Sequence, residues 1–254
     1  MTTSDKDSVT FGHKKVTVSE KEHLVNDIFS RVAKKYDIMN DAMSLFQHRL
    51  WKKKFVNIIP LFQGDRIIDV SCGSGDISYQ LYKKAKRKNI SIRPITLLDP
   101  NKSMLELAKD RFIDKGLLTS FSYNLSSAEK IPFPNNSFDI YTISFGLRNV
   151  ANRSKALTEA HRVLSPGKKL YCLEFSQTTL PMLDLLYNFY SSSIIPKLAS
   201  HLANDQEAYK YLTESIETFP AQKQLCEEFK EAGFSNVTYK NLAGGIVSIH
   251  IAQK

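Results

Sequence analysis

The sequence predicts an α/β fold built on a mostly parallel sheet. After Gly64, short apolar runs alternate with segments whose apolar residues recur at helical spacing, which is the pattern of repeated βαβ units. The last two apolar runs have no convincing helical segment between them, and Gly244 and Gly245 stand where a tight turn would join them. We therefore expect the sheet to end in an antiparallel hairpin.

Seven strands are predicted, and helices are expected in the intervals between them, except between the last two. The predicted strands are 66–70, 95–98, 121–125, 138–143, 169–175, 237–241 and 246–252. A parallel sheet that ends in such a hairpin departs from the simple dinucleotide-binding pattern.

One domain is the simplest interpretation, because no Pro/Gly/Ser-rich linker divides the chain. Ser19 and Glu22 have the spacing of a capping box ahead of an apolar helical stripe from Leu24 to Val32, so order is expected to begin at Ser19. A second helical pattern, from Leu50 to Ile59, stops at Pro60. The predicted divisions are a flexible N-terminus (1–18) and a single domain (19–254) that includes a helical lid (19–62) and a helical insertion (178–212).

Composition excludes several classes of protein. With 42% hydrophobic and 24% charged residues, the 254-residue chain can bury a core and does not resemble a disordered protein. No apolar stretch approaches the roughly 18 residues of a membrane span. The three cysteines are widely spaced and form no Cys-x-x-Cys pair, which favours a reducing compartment. The N-terminus lacks the apolar run of a secretion signal, and Asp5 and Asp7 argue against a mitochondrial presequence.

The formal net charge of +9 leaves three interpretations open: nucleic-acid binding, contact with an anionic membrane, or a solvated basic surface. Against a nucleic-acid enzyme, no Asn-Pro-Pro-Tyr string follows the fourth strand and no appended RNA-binding module is visible. We therefore expect no nucleic-acid partner.

The most informative stretch runs from Asp69 to Asp76, where a strand leads into a glycine-containing turn and then a helix. Gly73 and Gly75 let a ligand approach the backbone, and the free amides of the helix face that ligand. The dinucleotide fingerprint is absent because Ser78 stands at its third glycine position, so the turn suits a nucleoside without a pyrophosphate. Asp99 ends the next strand, where a carboxylate can accept hydrogen bonds from both hydroxyls of a ribose.

Three motifs resemble the successive cofactor motifs of class I methyltransferases, in order and in spacing. They are Gly73-Ser74-Gly75-Asp76, then Asp99-Pro100-Asn101-Lys102-Ser103-Met104, then Ser127-Ala128-Glu129 with Ile131-Pro132-Phe133-Pro134. The resemblance implies a Rossmann-like fold and S-adenosylmethionine as the cofactor. It places Asp99 on the ribose and Ser127-Ala128 beside the adenine. The residues expected to bind the cofactor are Asp69, Gly73, Ser74, Gly75, Asp99, Ser127, Ala128 and Ser144.

Three further strings resemble the ubiquinone/menaquinone biosynthesis C-methyltransferase family, and the match extends from about Phe11 to the C-terminus. The strings are Tyr36-Asp37-Ile38-Met39-Asn40-Asp41 with Met43-Ser44 and His48-Arg49-Leu50-Trp51-Lys52; Ser144 to Val150; and Ala203-Asn204-Asp205 with Tyr209, Tyr211-Leu212 and Glu214-Ser215-Ile216. The resemblance implies C-methylation of a polyprenylated quinol. Cys72 departs from the small residue usual in the family's turn.

Catalysis is expected to involve Arg148 and Asn149, which follow the fourth strand of the sheet. A quinol carbon becomes nucleophilic when a neighbouring hydroxyl loses its proton, so the phenolate must be stabilised. Arginine holds its proton too tightly to be an ordinary base. Arg148 is therefore expected to stabilise the phenolate and position a water, and Asn149 to hydrogen-bond an acceptor oxygen. No metal site is expected.

The resemblance also implies where the enzyme works. The substrate would be dissolved in a bilayer, and the net positive charge of the protein would be attracted to anionic lipid headgroups. We therefore expect a bacterial cytoplasmic protein with peripheral contact at the inner membrane face. A homodimer or a complex of quinone-biosynthesis enzymes fits the same expectation. The alternatives left open are an RNA methyltransferase and a non-catalytic scaffold that keeps the fold; cofactor binding separates the scaffold from the enzyme.

Overall fold

A β-hairpin opens the described part of the chain, which comprises residues 8–33, 41, 44, 47–178 and 206–254 of this computed structural model. Its strands are β1 (Ser8–Phe11) and β2 (Lys14–Thr17). The prediction that 1–18 is flexible therefore differs from the structure over residues 8–18, which form the hairpin and the first residue of the helix that follows. The physical reason is a long-range contact: Phe11 stacks on Tyr211, with ring centroids 4.4 Å apart, and the local sequence does not reveal this partner.

The first helix, α1 (Val18–Val32), begins earlier than predicted and uses a different capping box. The Thr17 hydroxyl accepts a hydrogen bond from the Glu20 amide at 3.2 Å, and the Glu20 carboxylate accepts one from the Thr17 amide at 2.8 Å. The predicted box of Ser19 and Glu22 is wrong. Pairing of Thr17 with Ser8 ends β2 at Thr17, so the helix starts at the next residue.

The remaining elements alternate along the chain as the sequence pattern predicts. In order they are α2 (Gln47–Ile58), β3 (Ile67–Val70), α3 (Asp76–Arg87), β4 (Ile95–Asp99), α4 (Lys102–Ile113), β5 (Phe121–Leu125), β6 (Phe138–Ser144), a 3₁₀ turn (Leu147–Asn149), α5 (Arg153–Val163), β7 (Leu164–Phe175), α6 (Gln206–Glu217), α7 (Gln222–Glu231), β8 (Ser235–Leu242), a 3₁₀ turn (Ala243–Gly245) and β9 (Val247–Gln253).

Seven of these strands form one sheet in the order β5-β4-β3-β6-β7-β9-β8. The pairs among β3 to β7 are parallel, whereas β9 is antiparallel to both of its neighbours. Gly244 and Gly245 lie in the turn before β9 with φ of 66° and 100°, a region that glycine adopts without strain. The predicted fold class, including the antiparallel C-terminal hairpin, is confirmed.

Both faces of the sheet are covered by helices that bury apolar side chains. One core cluster contains Trp51 and Phe55 of α2 together with residues of β3, β4 and β7, so this helix of the predicted lid packs into the main body. Leu50, which the sequence pattern placed on the apolar face, is 60% exposed. Of the predicted lid, α1 is the described helix that remains beside the carboxyl edge of the sheet.

The predicted insertion at 178–212 falls mostly outside the described residues, and so does its helical pattern from Leu183 to Leu198. Its last part belongs to α6, whose Ala208, Tyr209 and Tyr211 pack with Phe11 and α1 in a separate apolar cluster. Within the described ranges, no helix is long and apolar enough to cross a membrane.

Candidate active site

The topology of the sheet places a crevice at the carboxyl ends of β3 and β6. The chain adds β4 and β5 on one side of β3 and then returns to add β6 on the other side. Ligands of open α/β sheets bind where the strand order reverses in this way, because the two following loops diverge there. The predicted site residues lie in the last residues of strands that end at this edge or in the loops that follow them.

The turn after β3 reverses the chain through left-handed backbone angles at Ser71, Gly73 and Gly75. The Gly75 amide donates to the Cys72 carbonyl at 3.0 Å, which closes the turn. A side chain added at Gly73 would meet no atom within 4 Å, so a ligand can approach the backbone there. A β-carbon at Gly75 would lie 2.8 Å from Cζ of the buried Phe112. Gly73 is thus the open glycine of the turn, and Gly75 is the packed one.

Gly75→Ala is expected to lower the free energy of unfolding by about 2–4 kcal/mol, because it adds left-handed strain and a contact with an immobile ring. Gly116→Ala is the matched control: Gly116 has φ of 67° and no atom within 4 Å of an added β-carbon. That variant should lose about 1 kcal/mol. Urea denaturation measures both, and equal losses would refute a specific clash with Phe112.

Asp99 connects the turn after β3 to the loop after β4. One carboxylate oxygen accepts a hydrogen bond from the Gly73 amide at 2.9 Å, and the other accepts one from the Asn101 amide at 2.9 Å. Each oxygen keeps a lone pair for a further donor. Burial, together with the charge of the neighbouring Asp69, raises the pKa of Asp99 to about 6. Asp99 is therefore a fixed, buried acceptor beside an open glycine backbone.

Affinity for S-adenosylmethionine is expected to fall about tenfold between pH 7 and pH 5, because the ribose hydroxyls need the ionised form of Asp99, whose pKa is about 6. Stability of the free protein should change in the opposite sense. A carboxyl with a raised pKa contributes most below about pH 4, and that contribution is lost as pH rises through about 6. Calorimetric titration at both pH values tests the affinity. If the affinity of Asp99→Asn falls by the same factor between pH 7 and pH 5, a group other than Asp99 causes the pH dependence.

Asp69 lies beneath the turn and holds it from below. Its carboxylate accepts hydrogen bonds from the Ser78 hydroxyl at 2.7 Å and the Ser78 amide at 3.2 Å, and also from the Thr142 hydroxyl at 2.8 Å. Burial raises the pKa of Asp69 to about 6. Asp69, which was predicted to bind the cofactor, is 1% exposed. It connects the start of α3 to β6 and does not line the crevice.

The crevice is a pocket of about 430 Å³, a size typical of small-molecule sites. Gly73, Asp99, Ser127, Ala128 and Asn149 are the predicted residues that line it. The residues that line it without having been predicted include Ser71, Asn101, Met104, Phe145, Gly146, Val150 and Ala151, and also Ser19, Glu22, His23, Asn26 and Phe29 of α1.

Asn101 fastens α1 over the pocket. Its side-chain amide donates to the Asn26 carbonyl at 2.9 Å and to the Ser30 hydroxyl at 2.8 Å. Its side-chain oxygen accepts from the Met104 amide at 3.0 Å and caps α4. One residue therefore connects the lid helix, the end of β4 and the helix that follows it. Asparagine is a residue type that commonly caps helices, but the sequence could not identify the second partner of Asn101.

The loop after β6 forms the wall opposite Asp99. Gly146 packs against the turn after β3 so closely that a β-carbon would lie 2.4 Å from the Ser71 β-carbon. Phe145, in a left-handed conformation, packs against Phe175 with the rings tilted by 45° and their centroids 4.9 Å apart. The Asn149 side chain receives a hydrogen bond from the Tyr211 hydroxyl at 3.1 Å. An amide side chain is thereby presented to the pocket in a fixed orientation.

Arg148 does not line this pocket. Its Nη1 donates to the Glu174 carboxylate at 2.6 Å and to the Phe145 carbonyl at 2.7 Å, and its backbone amide donates to the same carboxylate at 3.2 Å. The two side chains are 4% and 0% exposed. The guanidinium therefore holds the loop from the side away from the pocket. The expectation from the sequence placed it against the substrate.

Ser74, Gly75 and Ser144 also do not line the pocket. The Ser74 carbonyl accepts a hydrogen bond from Arg111 at 3.3 Å, and the buried Ser144 hydroxyl has no hydrogen-bond partner among the described residues. Tyr36 and Asp37 of the predicted lid lie outside the described residues. His48 bonds to the Asp41 carboxylate at 2.7 Å and lines a different groove. Over the described ranges, no group of three or more His, Cys, Asp and Glu side chains could hold a metal ion.

Comparison with known families decides the identity of the chain. The model of the ubiE/COQ5 methyltransferase family matches residues 16–254. The chain belongs to the ubiE/COQ5 methyltransferase family. A relative from Rickettsia bellii (strain OSU 85-389), named ubiquinone/menaquinone biosynthesis C-methyltransferase UbiE, is 50% identical over 96% of this chain and 98% of its own. A relative of the same name from Rickettsia akari is 50% identical over 97% of this chain and 98% of its own.

Solved structures agree with this ubiE/COQ5 family assignment at the level of the fold. A methyltransferase in complex with the Trm112 activator of Haloferax volcanii aligns with a TM-score of 0.60 at 18% identity, covering 89% of this chain and 96% of that one. The cyclase SpnF aligns with a TM-score of 0.64 at 16% identity, covering 92% and 96%. Because a protein called a cyclase shares the fold, the fold alone does not fix the reaction.

The ubiE/COQ5 pocket fits the cofactor of its family, S-adenosylmethionine. Asp99 offers acceptors for a ribose, the open backbone at Gly73 admits a ligand, and Ser127 with Ala128 forms the next stretch of wall. The predicted S-adenosylmethionine-dependent methyltransferase is confirmed by the family. The roles of the individual residues stay predictions.

Proposed function

We propose that this methyltransferase transfers a methyl group to a ring carbon of a polyprenylated quinol in ubiquinone/menaquinone biosynthesis. The acceptor would be demethylmenaquinol, 2-polyprenyl-6-methoxy-1,4-benzoquinol, or both. The observation that carries the proposal is the 50% identity to UbiE relatives over nearly the whole chain. We propose a bacterial cytoplasmic enzyme; the two UbiE relatives, both from Rickettsia, support the bacterial source.

The residues of the pocket would act by binding and alignment. S-adenosylmethionine, when bound, supplies a methyl group on an activated sulfonium. Asp99 would hold the ribose hydroxyls, Gly73 would admit the nucleoside, and Ser127 with Ala128 would face the adenine. Holding two reactants in line lowers the barrier without any covalent participation of the protein.

Asn149 is the residue we assign to the acceptor. It lines the pocket opposite Asp99, and its side-chain oxygen accepts a hydrogen bond from the Tyr211 hydroxyl. Its Nδ2 donates one hydrogen to the Phe145 carbonyl at 3.4 Å, which leaves one amide hydrogen to donate. A donor aimed at the quinol oxygen stabilises the phenolate that makes the ring carbon nucleophilic. We assign Arg148 as a positioning residue, because its bonds to Glu174 and Phe145 hold the loop that carries Asn149.

The test is a transfer assay with purified protein, methyl-labelled cofactor and short-tailed demethyl-quinols of both ring types, kept reduced. Mass spectrometry of the products should show one added methyl on the ring carbon of at least one quinol. Oxidised quinones should give no product, since they have no ionisable hydroxyl. Methylation of RNA instead of either quinol would overturn the proposal.

We further propose that the enzyme meets its lipid-soluble substrate at an anionic membrane surface. A groove of about 710 Å³ between α2 and α3 is lined by six lysines and arginines and one aspartate. Those cations are Arg49, Lys53, Lys83, Lys86, Arg87 and Arg111. Leu50, on the exposed face of α2, is 60% exposed beside them. Each cation near an anionic headgroup layer contributes about 1 kcal/mol.

Vesicle sedimentation tests this surface. The wild type should pellet with phosphatidylglycerol vesicles at low salt, and much less with phosphatidylcholine vesicles or at high salt. Charge reversal at Lys53, Lys83 and Lys86 should abolish pelleting. The same reversal at the exposed Lys109, Lys223 and Lys240 is the matched control. Equal loss in both triple variants would show a general charge effect and contradict the assigned surface.

The domain division and the oligomeric state also remain proposals. We propose one domain over 19–254 in which α1 acts as the lid, supported by its place over the pocket. A homodimer or a complex with other quinone-biosynthesis enzymes follows from the family resemblance. Light scattering of the purified chain, alone and with such enzymes, tests it.

A further inference from the structure

The pocket of about 430 Å³ is lined by acidic side chains, although the chain as a whole has a net charge of +9. Three carboxylates line it: Glu22 of α1, Asp99 at the end of β4, and Glu129 in the loop after β5. No lysine or arginine of the described residues lines it, and its remaining ionisable side chain is the exposed His23. The charge of the pocket wall is therefore opposite in sign to that of the whole chain.

These carboxylates repel one another or a carboxylate close by. Burial, and after it the charge of Asp69, raises the pKa of Asp99 to about 6. Burial, and after it the charge of Glu129, raises the pKa of Glu22. A like charge nearby disfavours the ionised form of a group, and a cation nearby favours it. A positively charged ligand in the pocket would therefore relieve a repulsion that a neutral ligand leaves in place.

Two arginines near this wall are paired with carboxylates that do not line the pocket. Arg148 is paired with Glu174 at 2.6 Å, and Arg153 is paired with Glu228 at 2.7 Å. Each pair is close to neutral as a unit, so neither arginine cancels the charge of the pocket wall.

Two lysines act on the wall from outside the pocket. Burial lowers the pKa of Lys21 to about 8, and the charge of Glu129 opposes this change, so the ammonium group is mostly protonated at neutral pH. Lys155, exposed on α5, favours the ionised form of Glu22. These two cations offset part of the charge of Glu129 and Glu22.

Asp99 has no such compensation within the described part of the chain. The groups that shift its pKa are the Gly73 and Asn101 amides and the carboxylate of Asp69, and no lysine or arginine is among them. With a pKa of about 6, Asp99 is mostly ionised at neutral pH. The wall therefore keeps an excess of negative charge after both lysines are counted.

The ligand loses one positive charge during the reaction. S-adenosylmethionine carries a permanent positive charge on its sulfonium, whereas S-adenosylhomocysteine, which remains after transfer, has a neutral thioether. The two molecules share the same adenosine and the same amino-acid end. The charge of the pocket wall therefore acts on the feature that distinguishes the cofactor from its product.

We propose that Glu22 and Glu129, together with Asp99, make the pocket select the positively charged cofactor over its neutral product, so that the spent nucleoside is released after each transfer. Asp99 also binds the ribose, which both molecules have, whereas Glu22 and Glu129 act through their charge. Specificity of this kind is a difference between two affinities. The inference rests on S-adenosylmethionine occupying this pocket, and it does not depend on which molecule is methylated.

Calorimetric titration of the full chain with each nucleoside, at neutral pH and without any quinol, tests the inference. The readout is the Kd of S-adenosylhomocysteine divided by the Kd of S-adenosylmethionine. Glu22→Gln and Glu129→Gln should each lower this ratio about three- to tenfold, because each weakens binding of the cation alone. Glutamine keeps the side-chain oxygen with which Glu129 accepts a hydrogen bond from the Asn152 amide at 3.0 Å.

Sinefungin, which carries an ammonium in place of the sulfonium, should follow S-adenosylmethionine in both variants. Glu231→Gln, at an exposed position of α7, is the matched control and should leave the ratio unchanged. A merely structural role would weaken binding of both nucleosides equally, and a ratio within twofold of the wild-type one in Glu22→Gln would overturn the inference. If Glu129→Gln does not fold, the exposed Glu22 still decides.

The two proposals fail separately. A changed ratio in a protein that methylates no quinol would overturn the proposed function and leave the charge selection standing. An unchanged ratio in a protein that methylates a quinol would overturn the charge selection alone.

Discussion

Asp99→Ala is expected to weaken binding of S-adenosylmethionine at least 100-fold. Each hydrogen bond to a charged acceptor contributes about 1.5–3 kcal/mol, and the two ribose hydroxyls would lose both of theirs. The variant also leaves the Gly73 and Asn101 amides without the acceptor they share at 2.9 Å. The turn would then be less well ordered for the ligand.

Isothermal titration calorimetry measures this effect, with circular dichroism to confirm that the variant is folded. Asp110→Ala is the matched control, because Asp110 is an exposed aspartate on the neighbouring helix α4. It should bind the cofactor like the wild type. A change of less than threefold in Asp99→Ala would remove Asp99 from the cofactor site.

Arg148→Met is expected to abolish methyl transfer and to lower the free energy of unfolding by about 3–5 kcal/mol. The stability loss follows because the carboxylate of Glu174, whose side chain is 0% exposed, would lose its cationic partner and keep only the hydrogen bonds from the backbone amides of residue 148 and Phe175. The loss of turnover follows because the loop carrying Asn149 would lose the bonds to Phe145 and Glu174. Affinity for the cofactor should change little, since Arg148 does not line the pocket.

The double variant Arg148→Met/Glu174→Gln separates the two effects. Removing both charges should restore much of the stability, because an unpaired buried charge is no longer present. It should not restore kcat if the ion pair positions Asn149. Arg66→Met, in a more exposed pair with Asp139, is the control and should keep full turnover. Wild-type kcat in Arg148→Met would show that Arg148 has no part in the reaction.

The sequence predicted the sheet well because its signals are local. Apolar runs separated by helical patterns specify βαβ units, and the two glycines before β9 specify the closing turn. The predicted strand 169–175 begins at Leu164 in the structure, since a register shift between Phe138 and Ile140 lets β7 pair earlier with β6. Such a shift depends on the neighbouring strand and leaves no trace in the strand's own residues.

The site was predicted in part for the same reason. Gly73, Asp99, Ser127 and Ala128 follow strand ends, so their place at the carboxyl edge could be deduced. The ion pair of Arg148 could not be deduced, because its partner Glu174 lies 26 residues away on another strand. The lining residues of α1 were missed because its pattern showed an apolar stripe and gave no sign of the bond between Asn26 and Asn101.

The most direct test of the account is a crystal structure with S-adenosylhomocysteine. We predict that both ribose hydroxyls lie within hydrogen-bond distance of the Asp99 carboxylate, with the backbone of Gly73 against the ligand. The sulfur should point toward the wall formed by Phe145 and Asn149. A nucleoside bound elsewhere, or bound here with its ribose away from Asp99, would contradict the account.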